Sequence, residues 1–333
     1  MILQTGSLLT SRGGTSYKVL RLLGSGAQGE IYEAERDSER VAVKWYFPQM
    51  ASTRQKSILE NLIANGVPDA SFIWPEDIVS MGGGNPFGYV MELMPSSYKG
   101  IVDLLQRAAE PTFSALCKAA FNLTRGFQKL HALGYSYRDI SFGNVFFNPD
   151  NGDVLICDND NVSANGADDT VISGTPRFMA PEIITGKAKP SRNTDLFSLA
   201  VLLFYMFMIH HPLEGAKEAG IKCLDTNAMN MLFGTDPVFI FDPNDVSNRP
   251  VEGYQDNAII YWGLYPQKLR DLFTASFTVG LDTPNRRVTE TQWLDAFTNL
   301  ITGIFHCPRC GAEIFFDETR KTHTCWGCGA DAA

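Results

Sequence analysis

Tyr137-Arg-Asp-Ile-Ser-Phe-Gly-Asn144, followed by Leu155-Ile-Cys-Asp158, is the stretch on which the reading of this chain turns. It sets a carboxylate, Asp139, and an amide, Asn144, five residues apart, just before two short apolar segments. Those segments, Val145–Phe147 and Val154–Cys157, read as a hairpin across the turn Asn148-Pro-Asp-Asn-Gly152, with Asp158 at its far end. One carboxylate to accept a hydroxyl proton, with an amide oxygen and a second carboxylate for Mg²⁺, is what in-line phosphoryl transfer requires. Any one of these residues alone reads equally well as a turn former. Their shared order and spacing point to chemistry.

Upstream, Leu23-Gly-Ser-Gly-Ala-Gln-Gly-Glu-Ile31 carries glycines at 24, 26 and 29. A dinucleotide fold would need a helix after this motif, whereas Lys18–Leu23 and Glu30–Ala34 read as strands on both sides. A phosphate loop of the Walker type would need Gly-Lys-Ser/Thr, and Glu30 follows Gly29. What remains is a hairpin, Gly24, Ser25, Gly26, Ala27, Gln28 and Gly29, whose backbone can lie close over phosphates. The next strand, Arg40-Val-Ala-Val-Lys44, ends on a lysine suited to face them. Such an ammonium needs a carboxylate to hold it, and Glu60, on a helix expected over Thr53–Asn65, is the expected partner. Ile78–Met81 and Tyr89–Leu93 then flank the turn Gly82-Gly83-Gly84.

Beyond Pro95 the texture changes. Phe113–Leu133 reads as a long amphipathic helix closed by Gly134, and helices dominate from Asp195 onward. The expected fold is α+β, with a strand-rich lobe over about 17–93 and a helical lobe over about 97–302, joined near Leu93–Ser97. Among the 333 residues, 44% are hydrophobic and 20% charged, which suits a globular chain and not a disordered one. Lys plus Arg number 28 against 37 acidic residues, a net charge of −9 that argues against nucleic acid or anionic membrane as partners. The opening Met1-Ile-Leu-Gln lacks the basic and apolar regions of a secretory leader. The longest apolar stretch, Leu196–Ile209, falls short of the roughly 20 residues a membrane span needs. A cytoplasmic protein with a buried core helix is the expectation.

Four of the seven cysteines form Cys307-Pro-Arg-Cys310 and Cys325-Trp-Gly-Cys328, with 14 residues (311–324) between the pairs. Two C-x-x-C knuckles at this separation supply four thiolates for tetrahedral Zn²⁺, and the strand-like Glu313–Phe316 between them fits a zinc ribbon over 306–330. His306 and His323 read as bystanders. So short a module cannot bury a core, and it is expected to depend on the metal to fold. Its role is open among docking a substrate, a partner or the rest of the chain.

Residues 17–302 as a whole resemble the eukaryotic-type protein kinase family, in the bilobal form found in bacterial eukaryotic-like Ser/Thr kinases. The resemblance assigns the glycine hairpin to ATP, with Ile31 and Ala42 over the adenine, Met91 as gatekeeper and Glu92 and Met94 at the hinge. Lys44 and Glu60 become the phosphate-binding ion pair, Asp139 the catalytic base, and Asn144 and Asp158 the Mg²⁺ ligands. Ala180-Pro-Glu182 matches the end of the activation segment, Arg287 the partner of Glu182, and Asp195 the buried carboxylate opening a helix of the C-lobe. Gly174-Thr-Pro-Arg-Phe-Met-Ala-Pro-Glu182 resembles Ser/Thr kinases, in which Thr175 would bond Asp139. ATP, Mg²⁺, a protein substrate with a Ser/Thr acceptor and a partner phosphatase follow from the resemblance. So does autophosphorylation at Thr170 or Ser173, with Arg138 receiving the phosphate.

Three departures from the family pattern matter. Tyr137 stands for the usual His, Ser141 for a Lys, and Asp158-Asn-Asp160 for Asp-Phe-Gly. Ser141 removes a positive charge beside the transferring phosphate, and Asn159 removes an aromatic plug. They define the alternative: a nucleotide-binding pseudokinase scaffold that recruits partners through its ribbon. The segment His210–Ala258 is also long for its place, with aromatics between turn formers.

Overall fold

Tyr17 and Val19 face inward while Ser16 and Lys18 face water, the period of two that makes a strand with one buried face. Six strands form a closed barrel in the order β1-β2-β3-β4-β6-β5. They are β1 (Leu8–Ser11), β2 (Ser16–Ser25), β3 (Gly29–Arg36), β4 (Glu39–Tyr46), β5 (Asp77–Ser80) and β6 (Phe87–Glu92). Leu9, Tyr32, Val43, Trp45, Val79 and Val90 are among the residues filling its core. β1 lies upstream of the start expected at residue 17; it pairs with both β2 and β5 and so closes the barrel. The computed structural model describes residues 2–82, 86–166 and 174–332. Its first unit comprises the chain up to Ser96 together with Leu155–Asn161.

The helix α1 (Thr53–Asn65) occupies the range its sequence predicts because both ends are signed. Ser52 Oγ accepts from the Gln55 amide at 3.1 Å, and Gly66 ends the helix at φ 75°. Leu59 and Leu62 are its buried face. In the same unit, Leu155–Asn161 is tied to the segment between α1 and β5 through Ile156 N to Ser71 O (2.7 Å) and Ile73 N to Ile156 O (2.9 Å).

The second unit comprises Ser97–Val154 and the chain from Val162 on. Its long helix Phe113–Ala132 starts where Thr112 Oγ1 accepts from Ala115 N at 3.1 Å, and the chain leaves it through Gly134 at φ 81°. The apolar run opened by Asp195 lies in the helix Arg192–Met208, whose residues from Thr194 on are buried on every side. That explains the run as a core helix, and no helix among the described residues is long and apolar enough to cross a membrane. The segment after it is ordered around Asn248, which is fully buried and donates to Leu213 O (2.9 Å) and Val238 O (2.7 Å).

Three helices of this unit are tied by buried charge. His131 lies between Asp195 Oδ2 (3.1 Å from Nε2) and Glu290 Oε1 (2.5 Å from Nδ1), and Arg192 Nη2 reaches Glu290 Oε2 at 2.5 Å. Burial alone would raise the Glu290 carboxyl, but His131 and Arg192 outweigh it and pull the group down to about 2. A group depressed below its usual 4.5 adds stability above that value and loses it as pH falls toward about 2. Unfolding free energy is therefore expected to fall with acid across that window, and less steeply in Glu290→Gln. Denaturant titrations at a series of pH values measure this, and equal slopes would refute it.

Candidate functional site

In the first unit the site grows from β3, β4 and the short turn Asn159–Asn161. The hairpin between β2 and β3 is closed by Gly26 N to Gly29 O at 2.9 Å. A side chain at Gly29 would meet Trp45 O at 2.2 Å, so the strands approach as they do only with glycine there. Gly24 has open space where a side chain would stand, and Gly26 meets only the Gly29 carbonyl, at 4.0 Å. That is the room a phosphate chain laid on the hairpin would need. Ala42 and Met91 are buried partners across β4 and β6, Ile31 pairs with Lys44, and Glu92 is exposed at the end of β6.

Lys44, at the buried end of β4, has only 7% of its side chain exposed. Its Nζ donates to Asp160 Oδ1 (3.0 Å) and Oδ2 (2.9 Å), to Gln28 Oε1 (2.8 Å) and to Asp158 Oδ1. Tyr46 OH also donates to Asp160 Oδ2. Burial opposes the charge on Asp160, yet Lys44 and Tyr46 hold its pKa below the usual carboxylate value. Asp158 goes the other way: burial and the neighbouring Asp160 charge push it up to about 6 against the pull of Lys44. The Asp160 side chain is fully enclosed, while Asp158 keeps 31% of its side chain exposed. Of the two, Asp158 is the carboxylate that a metal ion can reach. It sits at φ 57°, a strained setting of the kind found at functional sites.

Glu60 does not meet Lys44. It is exposed on α1, and the reason is helical phase: each residue turns about 100°, so Glu60 lies a quarter turn from Leu59. The inward positions are Gln55, Leu59 and Leu62, at i, i+4 and i+7. Gln55 is the residue that reaches the cluster, donating to Tyr46 OH (3.1 Å) and Asp160 O (3.0 Å). Asn159 occupies the place of the expected aromatic and donates to Ile73 O (2.6 Å) and Ile156 O (3.0 Å).

In the second unit, Asp139 Oδ1 accepts from both Thr175 N (3.0 Å) and Thr175 Oγ1 (3.1 Å), the bond expected for that threonine. Asn144 Nδ2 donates to Asp139 O at 2.9 Å, which leaves its Oδ1 as the atom available to a cation. Asp195 accepts from Tyr137 N (2.6 Å) and Arg138 N (2.9 Å), and so holds the loop in which Arg138 adopts φ 80°. Buried Tyr137 packs edge-on against Phe127 at 5.3 Å. Arg287 makes a two-pronged pair with Glu182, at 2.7 and 2.8 Å. Thr170 and Ser173 lie outside the described residues.

The four sulfurs of Cys307, Cys310, Cys325 and Cys328 lie within 4.8 Å of one another. Cys307 and Cys328 are 3.7 Å apart, Cys310 and Cys325 3.5 Å. A zinc–sulfur bond of about 2.3 Å gives a tetrahedral edge near 3.8 Å, so the donor set fits zinc. Both knuckles turn alike, with Gly311 N on Cys307 O and Gly329 N on Cys325 O, each at 2.9 Å. His323 stands outside the set and accepts from Asp317 N at 2.9 Å.

The module is docked. Phe113, at the start of its helix, packs against Phe315 (4.9 Å), Trp326 (5.8 Å) and Tyr265 (6.0 Å). Glu313 accepts from Ser114 N at 3.0 Å, Asp317 from Gln267 N at 3.0 Å, and Arg320 donates to Gly263 O at 2.7 Å.

The family model for the protein kinase domain matches residues 17–296. The chain is 26% identical to a probable serine/threonine-protein kinase of Dictyostelium discoideum over 56% of its own length and 12% of that protein's. It is 28% identical to serine/threonine-protein kinase ste20 of Emericella nidulans, covering 57% of this chain and 22% of the relative. It is 26% identical to the probable serine/threonine-protein kinase CCRP1 of Zea mays, covering 60% and 32%. It therefore spans no more than about a third of these three relatives.

Proposed function

This chain belongs to the protein kinase domain family, and on that premise we propose that it transfers the γ-phosphoryl group of ATP to Ser or Thr of a protein substrate, itself included. The kinase domain is assigned to 17–302, with lobes over about 17–93 and 97–302, and the zinc ribbon to 306–330. The observation that carries the reading is the double hydrogen bond from Thr175 to Asp139, which aims the carboxylate from within a Ser/Thr-type segment. Asp139 orients the acceptor hydroxyl and takes its proton. Lys44 and the glycine hairpin bind the phosphates, while Asn144 and Asp158 are the residues that would hold Mg²⁺. Bound there, Mg²⁺ would offset the charge on the phosphate oxygens. The four cysteines would hold a structural Zn²⁺, since a closed thiolate set leaves no position for substrate. Seven cysteines free of disulfides suit a reducing, cytoplasmic setting.

Transfer of label from γ-labelled ATP to the full chain and to a Ser/Thr-rich protein tests this. Wild type is expected to incorporate label, and Asp139→Asn to do so at least about a hundredfold more slowly. Incorporation by both at one rate, or by neither, overturns it; the second outcome, with ATP still bound, is that of the pseudokinase scaffold.

A further inference from the structure

The departure Asp158-Asn-Asp160 places a second carboxylate where the family pattern has glycine, and the structure shows what it does. Asp160 is enclosed completely, and both its oxygens face the Lys44 ammonium, at 3.0 and 2.9 Å. Tyr46, two residues after Lys44 and so on the same face of β4, donates to one of them. Gln55 fixes the Asp160 carbonyl from α1, and Gln28 joins Lys44 (2.8 Å) to Asn161 (3.1 Å). Glu60, the residue expected to hold the lysine, is exposed. A buried ammonium needs a carboxylate partner; of the two that Lys44 pairs with, Asp158 keeps 31% of its side chain exposed and Asp160 none.

The geometry points to Asp160 as the positioning residue for Lys44, in the role that the resemblance assigns to Glu60. The inference rests on the kinase reading above and deepens it. Its consequence is a change of wiring. With the anchor on α1, the lysine would be correctly placed only when that helix is. With the anchor on the turn that carries Asp158, the phosphate-binding lysine and the metal-binding carboxylate are set by one element, two residues apart. α1 then contributes through Gln55, an uncharged residue. Asp158 can turn to a metal ion while Lys44 stays bound to Asp160.

Two measurements on the full chain test this. In steady-state transfer from labelled ATP, Asp160→Asn is expected to lower kcat on the order of 100-fold, the scale of a misplaced reacting group, and to lower it more than Glu60→Gln does. Added to Lys44→Met, Asp160→Asn is expected to lower kcat little further, because its effect runs through the lysine. The second measurement is independent of activity: thermal midpoints of Lys44→Met, Asp160→Asn and the double variant. Asp160→Asn leaves the buried ammonium only the partly exposed Asp158 carboxylate, so the double variant is expected to melt above it, which also supplies a folded protein if the single variant fails. A larger loss of kcat in Glu60→Gln, or additive midpoint shifts for Lys44 and Asp160, overturns the assignment. A wild type that transfers nothing overturns the kinase reading instead, and the midpoints still decide the pair.

Discussion

Stripping zinc from the full chain is expected to unfold the cysteine module and to destabilise the helical unit beneath it. The module has little else to hold it. Its own hydrophobic cluster is Cys307, Ile314 and Cys325, with Phe305, Ala312, Cys328 and Ala332 packed partly against them; buried Phe315 packs on Phe113. A core of that size offsets only a small part of the ordering cost of some 25 residues, at about 1–2 kcal/mol each. Structural zinc supplies about 10–16 kcal/mol in peptides of this kind, so the metal decides whether the module folds. What happens next follows from the docking. Glu313 and Asp317 cap the amide ends of two helices, at Ser114 and Gln267, and Phe315 and Trp326 cover Phe113. Loss of the module exposes that aromatic cluster and removes the acceptors of the Ser114 and Gln267 amides. A chelator titration followed by hydrogen exchange is expected to show lost protection first at 307–329, then at the amides of Ser114 and Gln267. Cys325→Ser is expected to lose zinc by mass spectrometry and to melt at a lower temperature. Unchanged zinc in that variant would dismiss the site, and unchanged protection at Ser114 and Gln267 would dismiss the clamp.

The site and the fold were unequally legible in the sequence. Asp139 and Asn144 stand out by order and spacing, and the bond from Thr175 to Asp139 is one that the resemblance of residues 174–182 implies. α1 could be read to its ends because Ser52 and Gly66 are signals carried by single residues. The partner of Lys44 could not be read in the same way. Motif position singled out Glu60, but a turn of one residue about the helix axis decides which side chain faces inward, and Leu59 and Leu62 had already claimed that face. Leu59 and Leu62 do define the phase, and with it Gln55. β1 escaped for another reason: its pairing with β5 joins Thr10 to Ser80, a contact to which no local pattern testifies. Docking of the ribbon depends on Phe113, Tyr265, Phe315 and Trp326, which look like separate apolar residues until the chain brings them together.

Arg287→Met is expected to cost about 3–5 kcal/mol of stability, the range for removing one partner of a buried ion pair. The guanidinium is nearly enclosed, with 2% of its side chain exposed. It holds both Glu182 oxygens, donates to Asn193 O (2.8 Å) and Gly280 O (3.0 Å), and lies 5.2 Å over the Phe197 ring. Methionine keeps the length and the contact with Phe197 but strands the Glu182 carboxylate and two carbonyls. Most of the cost is that stranded charge, so Arg287→Met/Glu182→Met is expected to recover part of it, and denaturant titration of the three variants measures how much. Activity adds a second readout. Glu182 ends the segment that begins at Gly174, and Thr175 in that segment aims Asp139. If the pair anchors the segment, phosphoryl transfer at a temperature where the variants stay folded falls in the single and double variants alike, because neither restores the anchor. A single variant within about 1 kcal/mol of wild type, the worth of an exposed pair, would show that the carboxylate finds water instead, and the anchoring role would go with it.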